Sequence, residues 1–109
     1  MQDLLIELNH QRKELTKAIG ILKERGIAKA EAERDYKVAL AKEMLRLRDE
    51  KYPATILSDL SRGNEDIAEL KMQRDIAETL WETAMQYIYA TKINIQILEN
   101  QINAERKGI

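Results

Sequence analysis

Stepping from Ile67 by three and four residues in turn, the chain reads Ile67, Leu70, Arg74, Ala77, Trp81, Ala84, Ile88, Thr91, Ile95, Leu98, Ile102 and Glu105. Nine of these twelve are apolar, and no Gly or Pro interrupts the run. This spacing keeps one stripe of an α-helix against a partner helix. A helix over about 64–106 is therefore predicted, roughly 65 Å long at about 1.5 Å per residue. Tyr87, Tyr89, Thr91, Ile93, Ile95 and Ile97 alternate with the period of a strand. That alternation is much shorter than the heptad pattern and no turn residues flank it, so helix is the expectation. Between Ala84 and Ala104 the only charges are Lys92 and Glu99. A half so apolar needs more than one neighbour to bury it.

The first half of the chain is a second long amphipathic segment. Leu4, Leu5, Leu8, Leu15, Ile19 and Leu22 mark its apolar stripe. At Gly26 two readings compete. Cations before the glycine, with Leu22 and Ile27 as apolar flanks, resemble a Schellman stop. Strong helix formers follow it, Ala28-Lys29-Ala30-Glu31-Ala32-Glu33-Arg34, with no N-cap. Seam steps also continue across it: Leu8, Arg12, Leu15, Ile19, Leu22, Gly26, Lys29, Glu33, Tyr36, Leu40, Glu43, Leu47. One helix over about 3–50, with or without a kink at Gly26, is favoured over two.

Tyr52-Pro53 ends this helix, because the residue before Pro is pushed out of the α region. Pro53 suits the first turn of a short helix over about 54–62, with Gly63 at its C′ position. Asn64 is the natural N-cap of the 64–106 helix, with Glu65 and Asp66 favourable at its positive end. The fold class expected is all-α: a long antiparallel helical hairpin, coiled-coil-like, with a short connecting helix in a single domain. Folded at the link, the hairpin brings Arg74 near Glu43, a candidate buried ion pair. Leu8, Leu15, Ile19, Leu22, Trp81, Ile88, Ile95, Leu98 and Ile102 are the core and dimer candidates. Two helices cannot cover the isoleucine-rich end, so a homodimer in a four-helix arrangement is expected. The last three residues, 107–109, are expected to fray.

Composition narrows the chemistry. With 34% charged residues, few Gly and Pro and no Phe, the chain suits long helices. A net charge of −1 gives no global field for nucleic acid. Without Cys there are neither disulfides nor Cys-based zinc sites, as suits a reducing cytoplasm. Met1-Gln2-Asp3 lacks a basic leader region and no long apolar run follows, so neither signal peptide nor membrane contact is expected. His10, the single histidine, lies on a polar side. There is no Glu-x-x-His pair, phosphate loop or nucleophile elbow. The chain is read as not an enzyme, with no catalytic residue, metal site or cofactor.

Charge is uneven. Residues 1–51 hold twelve Lys and Arg against ten acids, and residues 52–109 six against nine. Lys37, Lys42, Arg46, Arg48 and Lys51 form a modest basic cluster diluted by Glu43, Asp49 and Glu50. A nucleic-acid reader shows a stronger stripe, so nucleic acid is a disfavoured partner. Glu65, Asp66, Glu69, Asp75, Glu78 and Glu82 make the stretch 65–82 acidic. The link is richer than a turn requires. Ile56, Leu57 and Leu60 either cap the hairpin or form a docking knob rimmed by Tyr52, Asp59 and Arg62.

The run Ala30-Glu31-Ala32-Glu33-Arg34-Asp35-Tyr36-Lys37-Val38-Ala39-Leu40-Ala41-Lys42, then Leu45-Arg46-Leu47-Arg48-Asp49 and the segment Pro53 to Asn64, resembles small helical proteins of phages and prophages of Gram-positive bacteria. Arg74-Asp75-Ile76-Ala77-Glu78 and Leu98-Glu99-Asn100-Gln101-Ile102 extend the likeness over most of the chain. The resemblance implies an early-region phage setting and carries no catalytic residues with it. It also implies a host or phage protein as partner. Three functions compete: an inhibitor of a host nucleic-acid-processing or defence protein, in the manner of an anti-CRISPR; an accessory of phage replication or recombination; and a dimeric structural adaptor. For the first, the acidic stretch would occupy a basic channel.

Overall fold

Helix formers dominate both halves of the chain, and the computed structural model, which describes residues 1–108, is helical almost throughout. Helix α1 spans Gln2–Asp49, α2 spans Leu57–Arg62 and α3 spans Glu65–Lys107, with a 3-10 turn at Ala54–Ile56 before α2. No strand occurs among the described residues, so the alternation of Tyr87 to Ile97 is absorbed into α3. Gly26 lies inside α1. The helix formers after it outweigh the roughly 1 kcal/mol that an interior glycine costs.

The Schellman ending forms instead at the end of α1. Lys51 takes a positive φ of 69°. Its N–H donates to the Arg48 carbonyl at 2.9 Å, and the Tyr52 N–H donates to the Leu47 carbonyl at 3.2 Å. These paired bonds satisfy carbonyls that the helix end would leave open. Pro53 then starts the 3-10 turn, in which the Ile56 N–H reaches the Pro53 carbonyl at 3.1 Å. Gly63 does not adopt the left-handed conformation expected of a C′ glycine; its φ is −80°. Asn64 starts α3, its Oδ1 accepting from the N–H groups of Asp66 at 2.9 Å and Ile67 at 3.3 Å. At the other end, the Gly108 N–H donates to the Ala104 carbonyl at 2.8 Å, and Ile109 lies outside the described residues.

By packing, the chain divides into two units: Met1–Glu24 with the segment from Trp81 onward, and Arg25–Leu80. In the first unit α1 and α3 run antiparallel. The Met1 ammonium lies 3.1 Å from Glu105, and Arg12 lies 3.5 Å from Glu99. Tyr87 donates its hydroxyl to Glu14 at 3.4 Å. Leu8, Ala18, Ile88, Thr91 and Ile102 are buried, while Leu15, Leu22, Trp81, Ile95 and Leu98 are half-buried. Buried Thr91 donates its hydroxyl to the Tyr87 carbonyl at 2.8 Å, which removes the penalty for a polar group in the seam. Two expectations are corrected here. Ile19 is 53% exposed, and the Arg12 side chain is 56% exposed. Ala18 and Gln11 take the inward positions.

In the second unit Tyr36, Leu47, Leu57, Ser61 and Ile67 are buried. The expected ion pair of Glu43 with Arg74 does not form. Arg74 stands over the Tyr36 ring, 4.6 Å from its centroid, and donates to Asp75 at 3.0 Å. Glu43 instead accepts two bonds from Arg46, at 2.6 and 3.0 Å. The physical reason is register. The helices pair two turns away from the expected alignment, so an aromatic ring faces the guanidinium. Glu43 is then within i,i+3 reach of a cation on its own helix.

The inward positions of α3 keep the 3–4 steps without a slip from Ile67 to Ile102. Those of α1 take two four-residue steps in succession, Ala18 to Leu22 to Gly26.

Candidate functional site

The link is the most constructed surface of the second unit. The six residues of α2 are amphipathic at i,i+4 spacing. Leu57 and Ser61 point inward, joining Leu47 and Ile67 in the core of this end. Ile56 and Leu60, also four apart, point outward and are 39% and 41% exposed. Tyr52, between the Schellman turn and Pro53, is 44% exposed. Three large apolar groups thus stand on a base that fixes the backbone beneath them. Asp59 and Arg62 are exposed on the same short helix, and Arg62 donates to Ser58 one turn earlier. Asn64 and the first turn of α3 close the far side. Ser61 is fully buried and its Oγ has no hydrogen-bond partner. The residue acts here as a small spacer that lets α2 approach its neighbours.

The acidic stretch is distributed rather than gathered on one face. Glu65, Asp66, Glu69, Glu78 and Glu82 are all exposed. Glu69 and Glu78 are nine residues apart, and at about 100° per residue they lie on opposite sides of α3. Glu69 accepts from Gln73 at 3.2 Å. Glu78 lines a small polar hollow with Lys29, Glu33 and Arg74, where both signs of charge meet.

Two cations of the basic cluster of α1, Lys37 and Arg46, pair with acids of their own helix. Lys37 lies 3.3 Å from Glu33. Arg46 lies 2.6 Å from both Glu43 and Glu50. The Lys37 hydrogen bond and charge hold the Glu33 carboxyl below its ordinary value of 4.5. The Arg46 hydrogen bond does the same for Glu43, and Arg46 is in turn held more firmly protonated by Glu43. Such pairing leaves less net positive field along α1 for a phosphate backbone.

His10 is exposed on α1. Among the described residues no three His, Asp or Glu side chains gather as metal ligands. None of the described helices is long and apolar enough to cross a membrane.

Two rows of exposed apolar side chains escape a reading confined to the 3–4 seam. In the second unit Met72, Ile76 and Leu80 line an open groove with Arg25 and Ala28. In the first unit Met85, Tyr89, Ile93 and Ile97 form a row on α3. Their signal in the sequence is strict spacing by four, a ridge of the helix surface distinct from the buried stripe.

No protein-family model, curated protein or solved structure matches the chain.

Proposed function

We propose that this chain is a non-enzymatic binding protein that docks on another protein through the link surface of Tyr52, Ile56 and Leu60, with Asp59 and Arg62 at the rim. The observation that carries this reading is the contrast at the link: Leu57 and Ser61 are buried, while Tyr52, Ile56 and Leu60 keep 39–44% of their surface exposed. Binding hot spots favour such anchored apolar and aromatic groups ringed by polar ones. The partner is a host or phage protein in the cytoplasm of a bacterial cell. The action is inhibition of a nucleic-acid-processing or defence protein, anti-CRISPR-like in kind, by a phage-encoded chain.

The same reading makes the active species a homodimer. The chain exposes 8148 Å². A compact monomer of its 12.7 kDa mass exposes roughly 6,200 Å². The excess is larger than the roughly 800 Å² that each partner gives to a standard interface. It leaves area for a second copy as well as for a target.

The test is capture from a bacterial host lysate by the wild type and by a Tyr52→Ser, Ile56→Ser, Leu60→Ser variant of equal helix content. Partner loss in the link variant, with inhibition of the captured enzyme by the wild type, is expected. Charge reversal at Glu69, Glu78 and Glu82 is the contrasting variant. Loss of the partner there, with the link variant still binding, would move the site to the acids of α3.

A further inference from the structure

We infer that the second copy packs on the outer face of α3 in the first unit, ridge into groove and antiparallel, through Met85, Tyr89, Ile93 and Ile97. This rests on the dimer reading above and names the face and geometry that the dimer uses.

All four side chains are exposed, Tyr89 most of all at 67%. They succeed one another by four residues, so they form one continuous i±4n ridge. Beside the ridge runs an open groove of about 470 Å³, lined by Leu22, Met85, Gln86, Ile88, Tyr89 and Lys92. Ridges of this kind interdigitate with those of a like helix at a crossing angle of about −50°. Both elements, ridge and groove, belong to the same face, which is what an isologous two-fold contact requires.

The row is evenly spaced about its middle. In an antiparallel arrangement centred near Thr91, Tyr89 meets the Ile93 position of the second copy and Met85 meets the Ile97 position. An aromatic ring then lies against a branched aliphatic side chain at the inner contacts, and a flexible thioether does so at the outer ones. Lys92, the only charge between Glu82 and Glu99, falls beside the Ala90 position. A parallel arrangement would set Lys92 against its own counterpart and Tyr89 against Tyr89. Like charges at a closing interface oppose association, so the antiparallel sense is selected.

The experiment uses the full chain and its natural lack of cysteine. Light scattering on the wild type is expected to give the mass of two chains, and Tyr89→Glu with Ile93→Glu to give one, with helix content retained. Single variants Tyr89→Cys and Ile93→Cys are then treated with a short bis-maleimide, each alone and after mixing in denaturant and refolding. Covalent dimer from the mixture at several-fold the yield of either variant alone is expected. A monomeric wild type would contradict the dimer reading itself. A dimer that survives the double Glu substitution would show that this face is not the interface. Equal or greater yield from the single variants would overturn the antiparallel geometry.

Discussion

The guanidinium of Arg74 on α3 stands 4.6 Å from the centroid of the Tyr36 ring on α1, in the second unit. Tyr36 is buried and the Arg74 side chain is 29% exposed, so the cation lies over the ring in a partly desolvated site. A double-mutant cycle of Tyr36→Leu and Arg74→Met should yield a coupling of about 1 kcal/mol, read by chemical denaturation. Coupling near zero would mean that the pair is adjacent without attraction. Tyr36→Ala alone should cost about 3 kcal/mol, because it also opens a cavity.

Lys51 occupies the left-handed position of the Schellman turn, where a side chain is strained and glycine is not. Lys51→Gly should stabilise the chain by about 1 kcal/mol in denaturant titrations. Destabilisation would show that the Lys51 side chain contributes more than its backbone conformation costs.

How much was legible differs between the two long helices. The seam of α3 is readable entire: from Ile67 to Ile102 every inward position follows the 3–4 steps, with Arg74 and Thr91 each satisfied by a local partner. In α1, Leu15 and Leu22 belong to both phases of the alternation, so they could not choose between them. Ile19 is the more hydrophobic residue, but small Ala18 is the one buried. The Gly26 flanks imitate a helix stop that Lys51 provides, because stop chemistry depends on which carbonyls lack partners. At the link, Tyr52, Asp59 and Arg62 were visible as unusual residues. That Asp59 and Arg62 lie on the outer side of α2 follows from the inward placement of Leu57 and Ser61, which the sequence pattern of six residues does not fix.

Ser61 carries a fully buried hydroxyl without a partner. Ser61→Ala removes a desolvated polar group while keeping the small volume, and should leave stability unchanged or raise it by up to about 1 kcal/mol. Ser61→Val should lower stability by about 1–3 kcal/mol through overpacking beneath α2. Thermal melts of both variants check the pair; a destabilised Ser61→Ala would point to a hydrogen bond at this hydroxyl.

The Arg46 hydrogen bond holds Glu43 below its ordinary value of 4.5. A carboxylate whose value is depressed on folding stabilises the fold above its unfolded value. That contribution is lost as pH falls through the folded value. Wild type should therefore be more stable than Glu43→Gln at neutral pH, and the gap should close on acidification below the ordinary glutamate range. A gap independent of pH would assign the effect to packing rather than charge.

The central claim is that the link surface meets another protein, and the most direct measurement is site-specific photo-cross-linking in the bacterial cell. A benzophenone side chain replaces Tyr52 in one variant and exposed His10, in the other unit, in a second. The account predicts that the probe at 52 yields a discrete adduct with one foreign protein and that the probe at 10 does not. No adduct from position 52, or the same adduct from both positions, would contradict it.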